Sequence, residues 1–173
     1  MSNYKSLLSG ITTFIFDVDG VMTNGIVTLN SDGDMLRTMN VKDGYALQLA
    51  IKKGYKIIII SGGNSQVVRK RFQGLGIEEI YLAVGNKLEV FEDILNRDKL
   101  DLSEILYMGD DIPDYKVMSK VGVAACPADA VEEIKHISHY ISPLPGGKGC
   151  VRDVLEQVMK VQDKWFDEDG FHW

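Results

Sequence analysis

The stretch Ile11-Thr-Thr-Phe-Ile-Phe-Asp-Val-Asp-Gly20 decides the fold. Its first six residues are β-branched or aromatic, the composition of a strand that fits a packed sheet. The strand stops abruptly at two aspartates, Asp17 and Asp19, followed by Gly20. A buried strand that ends in an acidic turn is informative when it belongs to a parallel sheet. Ligands then bind outside the carboxyl ends of the strands.

Reading outward tests that condition. Lys56–Ile60 is a continuous apolar run, as expected of a strand covered on both faces, and ends in Ser61-Gly62-Gly63. Ser65–Leu75 has helical character and halts at Gly74–Gly76. Glu79–Leu82 reads as a short strand, and Lys87–Asn96 as a helix with Leu88, Phe91 and Leu95 on one stripe. Ile105–Met108 is a strand that ends in Gly109-Asp110-Asp111. A helix closing over Val117–Lys120, a strand at Gly122–Ala125 and a helix at Val151–Val161 complete the pattern. The alternation predicts an α/β fold with a mostly parallel sheet. One stretch breaks the rhythm. Asn30-Ser31-Asp32-Gly33-Asp34 lies between two short apolar runs and predicts a β-hairpin insertion over about 25–41. No other linker or repeat interrupts the chain, so 1–173 is expected to be one domain, with a C-terminal tail over about 164–173.

Composition narrows the partners. Hydrophobic residues make up 45% and charged residues 25%, ordinary for a globular chain. The net charge of −6 argues against nucleic acid or an anionic membrane as partner. Cys126 and Cys150 have no metal-ligand spacing, so neither a zinc site nor a disulfide framework is expected. The first residues lack the apolar core of a signal peptide, and the apolar run 57–60 is far too short to span a bilayer. A cytoplasmic enzyme or binding protein is the expectation.

The polar residues at the strand ends form a coherent set. Asp17, Asp19, Asp110 and Asp114 would crowd one crevice, where like charges oppose ionisation unless a cation is present. An all-oxygen site with room for phosphate suits Mg²⁺. Two aspartates spaced two apart in extended chain project to one side, so one can attack phosphorus and the other protonate the leaving alkoxide. Ser61 and Lys87 offer a hydroxyl and a cation to the non-bridging oxygens. Gly20, Gly62 and Gly63 allow close approach of backbone N–H groups to phosphate.

These residues, Asp17-Val-Asp-Gly-Val-Met-Thr23, Ser61-Gly62, Lys87 and Gly109-Asp-Asp-Ile-Pro-Asp114, resemble in order and spacing the four motifs of the haloacid-dehalogenase-like phosphohydrolases. A narrower resemblance covers nearly the whole chain. The hairpin, Asn40-Val-Lys-Asp-Gly44, Val68 and Arg71 before Leu75-Gly-Ile77, and Gly146-Gly-Lys-Gly149 with Arg152 are similar to the 3-deoxy-D-manno-octulosonate 8-phosphate phosphatases. The resemblance implies a three-layer Rossmann-like parallel sheet without a cap domain. It implies Asp17 as nucleophile and Asp19 as acid and base. Mg²⁺ would be held by Asp17, Asp110 and the Asp19 carbonyl, with Asp114 close behind and Asp111 in support. It further implies a homotetramer whose hairpins meet in a central barrel and whose neighbouring C-terminal segment helps close each site. The biological role would be a step toward the lipopolysaccharide sugar donor.

One departure touches the substrate. The family carries Thr-Gly-Arg at the second motif, and this chain has Ser61-Gly62-Gly63. Lys42, Arg71, Lys148 and Arg152 are the candidates for the missing positive charge. A nine-carbon nonulosonate 9-phosphate is therefore an alternative substrate to the eight-carbon acid. Rivals of another class are a receiver-like signalling domain, a phosphotransferase and a non-catalytic phosphate-binding protein. In receivers the phosphorylated aspartate follows the third strand, whereas Asp17 follows the first. Simpler roles also exist for single residues: Ser61 as a helix cap, Asp114 at a helix dipole, Arg71 on a solvated face, and 146–149 as a flexible loop. His136 and His139 are expected at the surface and not on a metal. The apolar residues of the hairpin favour a buried interface.

Overall fold

A computed structural model describes residues 4–172 of the chain. In chain order it contains α1 (Tyr4–Leu8), β1 (Thr13–Phe16), β2 (Thr28–Leu29), β3 (Met35–Leu36), α2 (Val41–Lys52), β4 (Lys56–Ile60), α3 (Gln66–Gln73), β5 (Glu79–Tyr81), α4 (Lys87–Asp98), β6 (Ile105–Met108), α5 (Tyr115–Met118), β7 (Val123–Cys126), α6 (Glu132–Ile137), β8 (Tyr140–Ile141) and α7 (Cys150–Val161). Six strands form one parallel sheet in the order β5-β4-β1-β6-β7-β8. The strand order reverses direction at β1, between β4 on one side and β6 on the other. That is the position where an open α/β sheet leaves a crevice.

The apolar run of β4 is explained by its two covered faces. Ile57 and Ile59 pack with Phe14, Phe16, Leu106 and Met108 under α1, α2, α3 and α7. Ile58 and Ile60 pack with Ile15, Tyr107 and Ala124 under α4, α5 and α6. The result is three layers, helix–sheet–helix, as the sequence predicts. β2 and β3 form a separate antiparallel pair, the expected hairpin, with Asn30 Oδ1 accepting from the Asp32 and Asp34 N–H groups at 3.0 and 2.8 Å. No helix among the described residues is long and apolar enough to cross a membrane.

Several elements lie outside the sequence reading. α2 is the longest of them. It is capped by Asn40, whose side chain accepts from the Lys42 N–H, and it buries Asp43 and Gly44 beside Ala46, Leu47 and Leu49. A buried charge and a glycine on the inward face hide its apolar stripe. α1, α6 and β8 are too short for periodicity to register. The cap of α3 is Ser65, not Ser61. The loop 146–149 is packed: Gly147 N–H donates to Val21 O at 2.9 Å, and a Cβ on Gly146 would lie 2.0 Å from Gly20 O. His139 Nδ1 accepts from the Ala124 N–H at 3.0 Å, and the His136 ring meets Glu132 O, so neither is set up as a ligand pair. The tail turns back on its own chain. Lys53 pairs with Asp167 and Asp169, and Tyr45 O–H donates to Gly170 O. Trp173 lies outside the described residues.

Candidate active site

Register sets the site. Phe16 is level with Ile59 on one side and Met108 on the other, so Asp17, Ile60 and Gly109 come abreast, with Ser61 and Asp110 one residue beyond. Asp17 N–H donates to Met108 O at 3.0 Å and Ser61 N–H to Tyr81 O at 2.9 Å, extending the ladder to the edge of the crevice. A pocket of about 590 Å³ opens there, lined by Asp17, Asp19, Ser61, Gly62, Gly63, Lys87 and Asp110 among others. Four strand ends thus deliver the four predicted groups to one place.

Lys87 is the hub of the pocket. Asn86 caps α4 and accepts from the Leu88 N–H, which fixes the first turn from which Lys87 projects. Lys87 Nζ lies 2.9 Å from Asp17 Oδ1 and 2.7 Å from Asp114 Oδ1. Burial works against its charge, but Asp17 and Asp114 outweigh that and raise its pKa. Asp114 is wholly buried and its two oxygens are engaged: Oδ1 also accepts from Tyr107 O–H at 2.6 Å, and Oδ2 from the Asp110 N–H at 3.3 Å. It therefore anchors Lys87 and is not placed there by the dipole of α5. Tyr107 is a member of the site that the sequence reading passed over, because its ring is indistinguishable from core in a strand.

Of the four aspartates expected to crowd one crevice, three do, and Asp19 does not. Asp17, Asp110 and Asp114 each place an oxygen within 4.8 Å of the others. Burial, then the charge of Asp114, raises Asp17 to about 7 against an ordinary 3.8. Burial, then Asp17 and Asp114, raises Asp110 to about 8. Asp110 Oδ1 is buried and lacks a hydrogen-bond partner. With the oxygens of Asp114 already taken, this orphaned oxygen beside Asp17 fits a hard divalent cation. Gly20 makes the arrangement possible: its φ is +89°, and a Cβ would lie 1.9 Å from Asp110 Oδ2.

Asp19 stands apart from this cluster. Arg37, at the end of the hairpin, grips it in a fork, with Nε 2.6 Å from Oδ1 and Nη2 2.9 Å from Oδ2. Arg37 has no sequence signal, since it reaches Asp19 only through the fold of the hairpin. Thr23 Oγ1 accepts from the Gly20 and Gly25 N–H groups at 3.3 and 3.2 Å and steadies the turn between them. Ser61 is buried, and its Oγ accepts from the Gly63 N–H at 3.1 Å. Asp111 caps the turn 112–114 by accepting from the Ile112 N–H.

The four candidate cations are dispersed. Arg71 lines a groove of about 870 Å³ between the hairpin and the start of α3. Lys42 and Arg152 line a separate cavity between α2, α7 and the tail, where the Arg152 guanidinium lies 5.7 Å from the Tyr45 ring and 5.2 Å from that of Trp165. Lys148 is exposed beside the packed glycines.

Comparison with known proteins identifies the family. Residues 77–150 match the model of the haloacid dehalogenase-like hydrolases. The 3-deoxy-D-manno-octulosonate 8-phosphate phosphatase of Escherichia coli K12 is 34% identical over 160 residues, covering 92% of this chain and 85% of that protein. The Yersinia pestis enzyme of the same name superposes with a TM-score of 0.90 at 32% identity, over 92% of this chain and 86% of that one. The Moraxella catarrhalis enzyme, solved in complex with a magnesium ion, a phosphate ion and a KDO molecule, gives 0.91 at 32% identity over 95% of both chains. This chain belongs to the haloacid-dehalogenase-like 3-deoxy-D-manno-octulosonate 8-phosphate phosphatases, a family of phosphoric monoester hydrolases.

Proposed function

We propose that the chain hydrolyses 3-deoxy-D-manno-octulosonate 8-phosphate through a phospho-aspartate on Asp17. The observation that carries this reading is the buried Asp17 carboxylate, held 2.9 Å from Lys87 beside the orphaned oxygen of Asp110. An Asp17 oxygen forms a bond to phosphorus as the bond to the leaving oxygen breaks. Asp19 gives that oxygen a proton. Its side chain keeps 35% exposure, against 10% for Asp17, so it can face both leaving group and water. Water then attacks phosphorus, Asp19 takes the water proton, and the bond to Asp17 breaks to free phosphate. Lys87 and Ser61 hold the phosphoryl oxygens in both steps. Mg²⁺, with Asp17, Asp110 and the Asp19 carbonyl as its ligands, would supply charge neutralisation to the carboxylates and the phosphoryl group.

The eight-carbon acid follows from the relatives' activity, and it would place the reaction on the route to the lipopolysaccharide sugar donor. Gly63 favours a second reading, a nonulosonate 9-phosphate, because it lacks the arginine side chain that the family carries at this position. A substrate panel decides between them. Phosphate release with Mg²⁺ is measured on the octulosonate ester, two nonulosonate esters and plain hexose phosphates. The expected result is the highest kcat/KM for the eight-carbon acid. A preference for nine carbons would keep the mechanism and change the substrate. Asp17→Asn in the same assay should release no phosphate, and substantial turnover would remove Asp17 as nucleophile.

A further inference from the structure

Arg37 is the one cation of the hairpin that reaches the acidic residues of the site, and its bonds leave it unfinished. Its side chain is only 8% exposed. Nε and Nη2 donate to Asp19, and Nη1 donates to Met35 O at 2.9 Å. A guanidinium carries five N–H groups. Nη1 and Nη2 therefore each keep a second N–H without a partner among the described residues. Two N–H groups beside an open groove are placed to meet an acceptor that enters it.

The surroundings say where that acceptor would sit. Arg37 lines the groove between the hairpin and the start of α3, together with Gly63, Asn64 and Arg71. That groove and the acidic pocket share Gly62 and Gly63 as lining, so they adjoin. Arg37 Nη2 lies 3.4 Å from where a Cβ on Gly63 would be. Gly63 puts no side chain between the acidic pocket and the guanidinium. The phosphoryl group itself is accounted for by Lys87, which sits on Asp17, and by Ser61, whose hydroxyl lies between Asp17 and the Asp19–Arg37 pair. Arg37 touches instead the residue assigned to protonate the leaving oxygen. An anion that takes its spare donors belongs to the leaving group.

We infer that Arg37 is a specificity-determining residue that binds a carboxylate on the leaving group, seated in the groove between hairpin and α3. The inference rests on the proposed sugar-acid substrate and names the residue that reads its acid. A carboxylate suits a guanidinium fork, with one arm able to turn to the substrate while the other stays on Asp19. Asp19 is then fixed relative to the leaving group by the same side chain that recognises it.

The test compares Arg37→Ala and Arg37→Lys with the unsubstituted protein on two esters, octulosonate 8-phosphate and a pentose 5-phosphate without a carboxylate. A charge-assisted hydrogen bond lost at a recognition site costs about 10- to 100-fold. The expected result is a fall in kcat/KM of about that size on the acid, mostly in KM, and a fall at least ten times smaller, by the same scale, on the pentose ester. Arg37→Lys should keep part of the preference. Inhibition by the free sugar acid should weaken in Arg37→Ala in proportion. Equal losses on both esters, with the preference of the unsubstituted protein intact, would overturn the Arg37 assignment and leave only a role in holding Asp19. If the unsubstituted protein shows no preference for the acid, the substrate reading falls first, and the inference falls with it.

Discussion

Asp17, Asp110 and Asp114 share one small volume, and among the described residues a single buried cation, Lys87, stands against them. The deficit of positive charge shows in the carboxyl groups. Both Asp17, at about 7, and Asp110, at about 8, sit far above the 3.8 of the unfolded chain. A raised acid binds protons in the folded state that the unfolded state has lost. Stability of the metal-free protein should therefore fall as pH climbs from about 4 through about 8. Mg²⁺ should reverse this, because it binds the deprotonated ligands. At a free concentration of about 100 Kd, the gain is about 2.7 kcal/mol, roughly 5–10 °C in melting temperature for a chain of this size. The increment should be small at pH 5 and full at pH 8.5, and EDTA should abolish both it and phosphate release. A thermal shift that is flat in pH would sink the carboxylate-cation account. The residues in this balance were legible in the sequence because each lies in the turn that follows a strand or opens the next helix. Arg37 and Tyr107 were not. One reaches Asp19 through a tertiary contact, and the other looks like core until its hydroxyl is seen on Asp114.

At the scale of elements, α2 and α7 pose a second problem of buried charge. The N-cap of α7 is Gly149, which has no side chain to offer the free N–H groups of the first turn. Asp43 reaches across from α2 instead, and its Oδ1 accepts from the Arg152 N–H at 2.7 Å. Its other oxygen has no partner, and burial, partly offset by the Arg152 and Gly149 N–H groups, raises its pKa to about 6. A carboxyl raised from 3.8 to about 6 withdraws stability as pH rises through that window, by roughly 3 kcal/mol when complete. Asp43→Asn keeps the acceptor for α7 and removes the charge. It should match the parent near pH 4 and exceed it by about 1–3 kcal/mol at pH 8, the loss of a favourable charge at the helix end reducing the gain. Urea unfolding at the two pH values reads this directly, and a variant that loses stability at pH 8 would show that the charge itself holds the two helices. The same residue explains why α2 escaped the sequence. An inward aspartate followed by Gly44 breaks the apolar stripe that marks a helix. β4 and β6 were read with their observed limits because a strand covered on both faces needs an unbroken apolar run.

At the scale of the whole molecule, the hairpin leaves large apolar side chains in solvent. Ile26, Leu29, Met35 and Leu36 are 65%, 68%, 55% and 50% exposed. An isolated two-stranded ribbon is marginal in water, and so dense an apolar surface on one belongs against something. The hairpin also carries Arg37 into the site at its end, so what fixes the ribbon fixes the grip on Asp19. Self-association through the hairpins satisfies both demands, and the tetramer suggested by the resemblance is the expected form. Light scattering at micromolar concentration should give four times the 19.3 kDa chain mass. Replacing Ile26 and Leu29 together by lysine puts charges on the ribbon without touching any residue that lines the pocket or the groove beside it, and should yield a monomer with its α/β core intact by circular dichroism. If the hairpin acts only through assembly, the same variant should lose its preference for the sugar acid, mostly in KM, because Arg37 is no longer held. A parent protein that is already a monomer, or a double variant that remains a tetramer, would place the contact elsewhere and leave the exposed ribbon to a different partner.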